Sequence, residues 1–450
     1  MNPRTISCTA VLMTLAGAAS AQEGLIFARG EGPFDWDGLA AFAAAHDYTG
    51  EVVTIASPWL GPDAAAGAAV LAYFEAATGA TVRVNGSDAF EQQIVIDVEA
   101  GSPPNIAVFP QPGLMCDLAR RGHLADLGEE TAAWMTETYA AGSSWTALGS
   151  CAGLDGFFGF SYNVNVKSLV WYSPENFEDF GYAVPTSMEE LRSLTERMVE
   201  DGVTPWCIGL GSGAATGWPA TDWVEDMLLR TQPPEVYDGW VNNTIPFDDP
   251  RIVAAIEEFG WFARTDAFVS GGVDAVATTD FRDSPLGLFA APPQCMMHRQ
   301  ASFIPAFFPD GTVVGEDVDF FYFPAYAAAD LGNPVLGAGT LVSIAEDSPA
   351  TRGLIAFLRT PIAHEIWMAI ETQGFLTPHT GVNLEAYHND SLRRQGEILQ
   401  QATTFRFDGS DLMPGAIGAG SFWTGMVDYS GGADAAAVAR SIQESWDALD

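Results

Sequence analysis

Residues able to carry chemistry are plentiful in this 450-residue chain, yet few stand at catalytic spacing. His364-Glu365 opens like the zinc-binding helix of a metalloprotease, but Met368 stands where the second histidine ligand belongs. Gly211-Ser212-Gly213 lacks the Gly-x-Ser-x-Gly spacing of a nucleophile elbow. The small-residue run ending at Gly217 is not followed by the Lys-Ser/Thr of a phosphate loop. With 58 Asp and Glu, any two could be nominated as a glycosidase pair, so no pair is informative. Flat aromatics among small residues give a better signal. Phe422-Trp423 lies within GAGSFWTGMVDY (418–429), Trp218 follows SGAATG, and Trp59 follows Ser57-Pro58. Such a ring either completes a core or offers an apolar plane to a ligand. The final helix, predicted over 434–449, has its apolar stripe at Val438, Ile442, Trp446 and Leu449, and Trp423 is not on it.

The elements that must position these rings begin with a buried strand at 51–56 and a helix at 64–78. Val70, Leu71 and Phe74 share one face of that helix, and Gly79 stops it. TVRVN (81–85) alternates as a second strand. Asp88 and Glu91 form a capping-box pattern for the next helix, which ends near Gly101, and NIAVF (105–109) is a third strand. This order opens a doubly wound α/β domain with a parallel sheet. Ligands of such sheets sit beyond the carboxyl ends of the strands. Those places are Ser57-Pro58-Trp59, Asn85-Gly86-Ser87-Asp88 and Pro110-Gln111-Pro112. Gln111 both donates and accepts, which suits vicinal hydroxyls, while capping is the stronger role for Ser87 and Asp88. The first loop carries no Gly-x-Gly-x-x-Gly, so a dinucleotide cofactor is not indicated. A second α/β region follows GFFGF (156–160), with helical patterns at 188–199, 222–229 and 251–262 and strand-like runs at 206–210 and 319–323. Residues 332–349 give a Gly-rich turn and strand, then helices at 350–358 and 363–371.

The chain opens with one Arg, an apolar run and Ala19-Ser20-Ala21, the pattern of a cleaved signal peptide over residues 1–21. Cys8 lies inside the run, away from a lipid-attachment position. The formal net charge is -39, with Lys167 the only lysine. Such a surface repels nucleic acid and anionic membranes. Cys116, Cys151, Cys207 and Cys295 remain after the leader, an even number that favours two disulfides in an oxidising compartment. Three connectivities are open, and the spacing fits no metal site.

Several phrases, in this order, resemble one family: YFEAATGATVRV (73–84), EAGSPPNIAVFPQPG (99–113) and GSFWTGMVDYSGGADAAAVARSIQESWDAL (420–449). They are similar to the bacterial extracellular solute-binding proteins of the sugar-binding kind. SYNVNVKSLVWYSPENF (161–177), SGAATGWPATDW (212–223) and PHTGVNL (378–384) look like the α-glucoside binders that serve ABC importers. The resemblance implies a fold like the type II periplasmic binding proteins, two doubly wound α/β lobes joined by several chain crossings. The crossings would fall near 160–165, 325–333 and 374–379. The N-terminal lobe would comprise 22–160 and 333–375, and the C-terminal lobe 161–332 and 376–450.

It further implies a periplasmic monomer without cofactor, metal or catalysis, which closes over its ligand and docks on ABC permease subunits of the inner membrane. A neutral α-glucoside of the trehalose, sucrose or maltose type is the expected ligand. Alternatives are an oligosaccharide, polyol or acidic sugar, a secreted carbohydrate-active enzyme, or a sensor lobe. By the same resemblance Trp423 stacks on a sugar ring while Phe422 turns inward, and Trp218 with Thr216 approaches from the second lobe. Trp59, Ser87, Asp88, Gln111, Asn163, Gly339 and Thr377 join the expected site, with Phe375 in a core or hinge role. His298-Arg299 departs from the Gly-Asp-Trp-like segment of relatives, with Arg299 free to fork onto hydroxyls or pair with a carboxylate. Pairing Cys116–Cys151 and Cys207–Cys295 keeps each disulfide within one lobe.

Overall fold

A computed structural model describes residues 25–139, 142–370 and 376–449. The expected leader and Phe375 lie outside the described residues. The strands among them are β1 (Val52–Ser57), β2 (Thr81–Gly86), β3 (Ile106–Phe109), β4 (Phe160–Val166), β5 (Leu169–Tyr172), β6 (Met297–Arg299), β7 (Asp319–Tyr322), β8 (Pro334–Ile344) and β9 (Thr404–Phe407). The larger sheet runs β2-β1-β3-β8-β4, with β9 also paired to β8. β1 pairs parallel with β2 and β3, as the strand–helix–strand order requires. Both faces of β3 are covered, which explains its unbroken apolar run. Ile106 and Val108 pack with Val70 and Leu354, while Ala107 and Phe109 pack with Phe90 and Leu114 on the opposite side.

β8 is the long element of the molecule, buried along its whole length. Its start pairs with β9 at Pro334–Gly337, and its end pairs antiparallel with β3 at Leu341–Ile344. β4 runs antiparallel beside it, with an irregularity between Ser161 and Val164. β4 leads on to β5 of the smaller sheet and β7 of that sheet leads back to β8, so the chain passes between the two sheets at these strands. The first expected crossing lies within β4, and the second expected stretch leads directly into β8. The third lies partly outside the described residues, and its Leu376 bridges to Val164. At the irregularity where β4 pairs with β8, a Cβ on Gly339 would stand 2.4 Å from the Asn163 carbonyl oxygen, so only glycine fits.

The second lobe holds the smaller sheet β6-β5-β7, antiparallel throughout. Residues 206–210, expected as a strand, contribute isolated bridges from Trp206 to Val269 and Met297 instead of a ladder. Helices Met188–Glu200, Trp218–Thr231, Pro250–Ala263, Trp423–Ser430 and Ala435–Asp447 enclose a core containing Trp206, Trp223, Phe262 and Phe422. Three members of the predicted final stripe, Val438, Ile442 and Trp446, are buried. The helix stops at Asp447, so Leu449 is 50% exposed and does not extend that stripe. Disulfides join Cys116 to Cys151 and Cys207 to Cys295, with Cα separations of 5.4 and 5.5 Å.

The lobes are in contact. Gly415 N–H donates to Asp117 Oδ2 at 3.0 Å. A Cβ on Gly113 would stand 1.8 Å from the Met413 carbonyl oxygen. Gly213, at φ +57°, packs on the Asp88 carboxylate. The cleft is closed.

Candidate functional site

Closure leaves a cavity of about 1180 Å³, mouth included, between the lobes. The first lobe supplies the loop after β1, the start of helix Pro62–Thr78, residues before and within helix Phe90–Glu99, and Gln111 after β3. The second supplies the loop and start of helix Trp218–Thr231, Phe281, Arg282 and Phe303, and the segments around Asp408 and Trp423. β4 and β8 form the floor with Asn163, Asn165, Gly339 and Thr340.

Of the residues expected at a ligand, Trp59, Ser87, Asp88, Gln111, Asn163, Trp218, Gly339 and Trp423 line this cavity. Asp88 does not cap the following helix. That helix starts at Phe90 with Ala89 as an uncapped N-cap, and Ser87 Oγ accepts from Ala89 N–H at 3.1 Å. The loop around Trp423 is itself helical, a π turn over Ile417–Phe422 leading into Trp423–Ser430. That geometry sends Phe422 into the core against Phe247 and Trp240, at ring distances of 4.8 and 5.5 Å. Trp423 lines the cavity but is only 2% exposed, and the Gly217 backbone packs against its main chain. Trp218 is the more open ring, with Phe281 edge-on at 4.9 Å and the Lys167 ammonium 5.3 Å from its centroid.

Four expected residues are not brought to the cavity. The Thr216 hydroxyl is spent within its own turn, donating to the Gly213 carbonyl at 2.7 Å and accepting from Ser212 N–H. His298 is buried with Nδ1 2.9 Å from the Cys207 carbonyl oxygen, and burial pushes its pKa down to about 4. Arg299 donates to Asp226 Oδ2 at 2.6 Å and to the Asp222 carbonyl at 3.0 Å. It therefore pairs with a carboxylate inside the second lobe. Thr377 Oγ1 lies 2.9 Å from His364 Nδ1 and accepts from His379 N–H, tying the chain near the third crossing to the first lobe. His364-Glu365 is structural in the same way: Glu365 accepts backbone N–H groups of Asp35 and Asn383 at 2.7 and 2.8 Å.

Sequence reasoning missed the polar floor of the second lobe. Lys167 reaches Asp222 Oδ1 at 2.7 Å and Asp408 Oδ2 at 2.5 Å, all three buried. Burial alone would push this amine down, but the carboxylates of Asp222, Asp408, Asp411 and Glu225 outweigh it and hold Lys167 charged. Asp222, Glu225 and Asp408 also have oxygens within 4.8 Å of one another, a spacing that suits a metal ion. Here the cation at hydrogen-bond distance is the lysine ammonium, and Glu225 is occupied by the N–H groups of Gly409 and Ser410 at 2.9 Å. The sole lysine of the chain was the available clue, since one amine in so acidic a protein must meet carboxylates. Its partners lie 55 and 241 residues away.

Around the cavity, Gln111 Oε1, Asn165 Oδ1 and Trp423 Nε1 are buried with no hydrogen-bond partner. Buried polar atoms are nearly always paired, so these are waiting for one. Asp63, also on the lining, has its pKa raised to about 7 by burial, partly opposed by Arg282. Unpaired donors and acceptors, carboxylates and aromatic rings in a closed cleft describe a site for a small polyhydroxylated molecule.

Comparison with known proteins agrees with that description. Residues 56–361 match the pattern of the bacterial extracellular solute-binding proteins. The chain is 60% identical over 420 residues to the α-glucosides-binding periplasmic protein AglE of Rhizobium meliloti, covering 92% of this chain and 91% of that one. It is 44% identical over 378 residues to the osmoprotective compounds-binding protein GgtB of a Synechocystis strain, covering 84% and 88%. Among solved structures, the bacterial solute receptor AcbH superposes with a TM-score of 0.75 at 17% identity, covering 89% of this chain and 99% of that one. A chitin oligosaccharide binding protein gives 0.73 at 17%, covering 88% and 98%. By sequence and fold together, the chain belongs to the bacterial extracellular solute-binding proteins.

Proposed function

We propose that this protein is the periplasmic substrate-binding component of an ABC importer and holds a neutral α-glucoside of the trehalose, sucrose or maltose type between its lobes. The carrying observation is the 60% identity, over nearly the whole of both chains, to a protein that binds α-glucosides in the periplasm. The cavity supports it. Trp218 and Trp59 offer apolar planes, and Gln111, Asn163, Asp88 and Asp411 offer hydrogen-bonding groups from both lobes. The lobes correspond to 22–160 with 333–375 and to 161–332 with 376–450, and β4 and β8 act as the flexing strands. Ligand contacts with both lobes favour the closed state, whose surface a membrane permease then reads. The protein works as a monomer delivered by a cleaved leader, and it binds its sugar without turning it over.

A thermal-shift panel tests the reading. Trehalose, sucrose or maltose should raise the melting temperature and quench tryptophan fluorescence. A flat response to every neutral glucoside, with a shift from another sugar class, would replace the α-glucoside by that class.

A further inference from the structure

The cavity is unbalanced in charge, and the imbalance bears on the chemistry of its ligand. Its charged lining is Asp63, Asp88, Glu91, Asp408 and Asp411 against Lys167 and Arg282. Neither cation is free. Lys167 is committed to Asp222 and Asp408, and Arg282 bonds Asp280 at 3.3 Å while lying over the Phe281 ring. Glu91 accepts from Gln111 Nε2 at 3.0 Å, while Gln111 Oε1 is buried and unpartnered. The carboxylates of Asp63 and Asp411 take no hydrogen bond and no ion pair among the described residues. Asp411 is 6% exposed and Gln111 4%, so neither faces bulk water. The two stand on opposite lobes, Gln111 after β3 and Asp411 in the short helix Gly409–Leu412.

Gln111 Oε1 and these acids in their carboxylate form only accept hydrogen bonds, and a ligand cation draws Asp63, Glu91 and Asp411 into that form, so a ligand rich in donors suits them. A hydroxyl brings one, and a protonated amine brings three together with a compensating charge. In a closed cleft the charge-assisted bond is about twice as strong as the neutral one. A carboxylate on the ligand meets like charge and loses its hydration, with the indole Trp423 Nε1 as the buried unpaired donor it could reach.

We propose that this site selects by charge: amino-substituted α-glucosides, as ammonium ions, bind more tightly than their neutral parents, and uronic-acid glycosides are refused. The inference rests on the α-glucoside reading above. Burial raises the pKa of Asp63, Glu91 and Asp411, with Asp408 beside Asp411 adding to it. A ligand cation relieves that crowding of like charge.

Calorimetric titration of the full chain at neutral pH and low ionic strength tests the inference. Trehalose, sucrose and maltose are titrated first, then the mono-amino-deoxy analogues of the best of them and its uronic-acid counterpart. At least one amino analogue should bind about tenfold more tightly than the neutral parent, the scale of one charge-assisted bond. The uronic acid should bind at least about tenfold more weakly. The amine-to-neutral ratio should fall towards one in Asp411→Asn and, separately, in Glu91→Gln, with melting curves identifying the folded variants. The proposal is overturned if no amino analogue surpasses the neutral parent, if the uronic acid binds as well, or if the ratio is unchanged in either folded variant. An amine that binds where no neutral glucoside does would sustain charge selection and remove the neutral ligand. Silence from the whole panel would remove both.

Discussion

At the scale of the residue, one buried amine organises the second lobe's side of the cleft. Lys167 compensates Asp222 and Asp408, so Lys167→Met leaves two buried carboxylates without their cation. That substitution should destabilise the protein by about 3–5 kcal/mol, read as a lower urea midpoint. The cavity rings divide by burial. Trp218→Ala should weaken sugar binding by about 1–3 kcal/mol in a titration. Trp423, at 2% exposure, is core as well as lining, so Trp423→Ala should also lose about 3–5 kcal/mol of stability. Unchanged melting in that variant would return Trp423 to a purely ligand-facing role. Residue type and local context were enough to single out Trp59, Gln111, Trp218 and Trp423, because strand ends and small-residue loops are visible in a sequence. Arg299 and His298, expected at the ligand from the resemblance, do not line the cavity, and of the two roles open to Arg299 the structure shows the carboxylate pair. Their partners, Asp226 and the Cys207 carbonyl, lie 73 and 91 residues away, and nothing local says that the pair turns inward.

At the scale of the element, the periodic helices were legible to within a few residues, as were the three parallel strands of the first lobe. Two features were not. The π turn before Trp423 has no apolar period of its own, and it looks like a glycine loop until Phe422 is seen against Phe247 and Trp240. β8 serves both lobes with one unbroken buried strand, a property set by its neighbours β3, β4 and β9 and not by its own residues. Closure rests on a similarly non-local contact. Helix Pro112–Arg120 brings Gly113 against the Met413 carbonyl, and a methyl there would stand 1.8 Å from that oxygen. Gly113→Ala should therefore hold the cleft ajar. Small-angle scattering with saturating ligand should show a larger radius of gyration than wild type, and affinity should fall. Identical scattering and affinity would mean that the lobes meet elsewhere.

At the scale of the whole molecule, acid stability follows from groups held neutral in the interior. The unfolded chain protonates His298 below about pH 6.5, whereas the folded protein keeps it neutral until about 4. Its contribution to stability is therefore present above pH 6.5 and is lost as pH falls towards 4. Asp63 acts in the opposite sense. Its raised pKa, about 7, gives a contribution present below about pH 4 and lost as pH rises through 7. In urea unfolding, wild type should lose about 3 kcal/mol relative to His298→Gln between pH 6.5 and 4. A constant difference across that range would show that the imidazole titrates normally. The closed cavity is expected to hold an intact neutral α-glucoside. Calorimetric titration of trehalose, sucrose and maltose, followed by chromatography of the recovered sugar, tests it most directly. The predicted result is saturable binding of at least one of them at one site per chain, with the sugar returned unchanged. No binding of any of the three, or their conversion to smaller sugars, would contradict it.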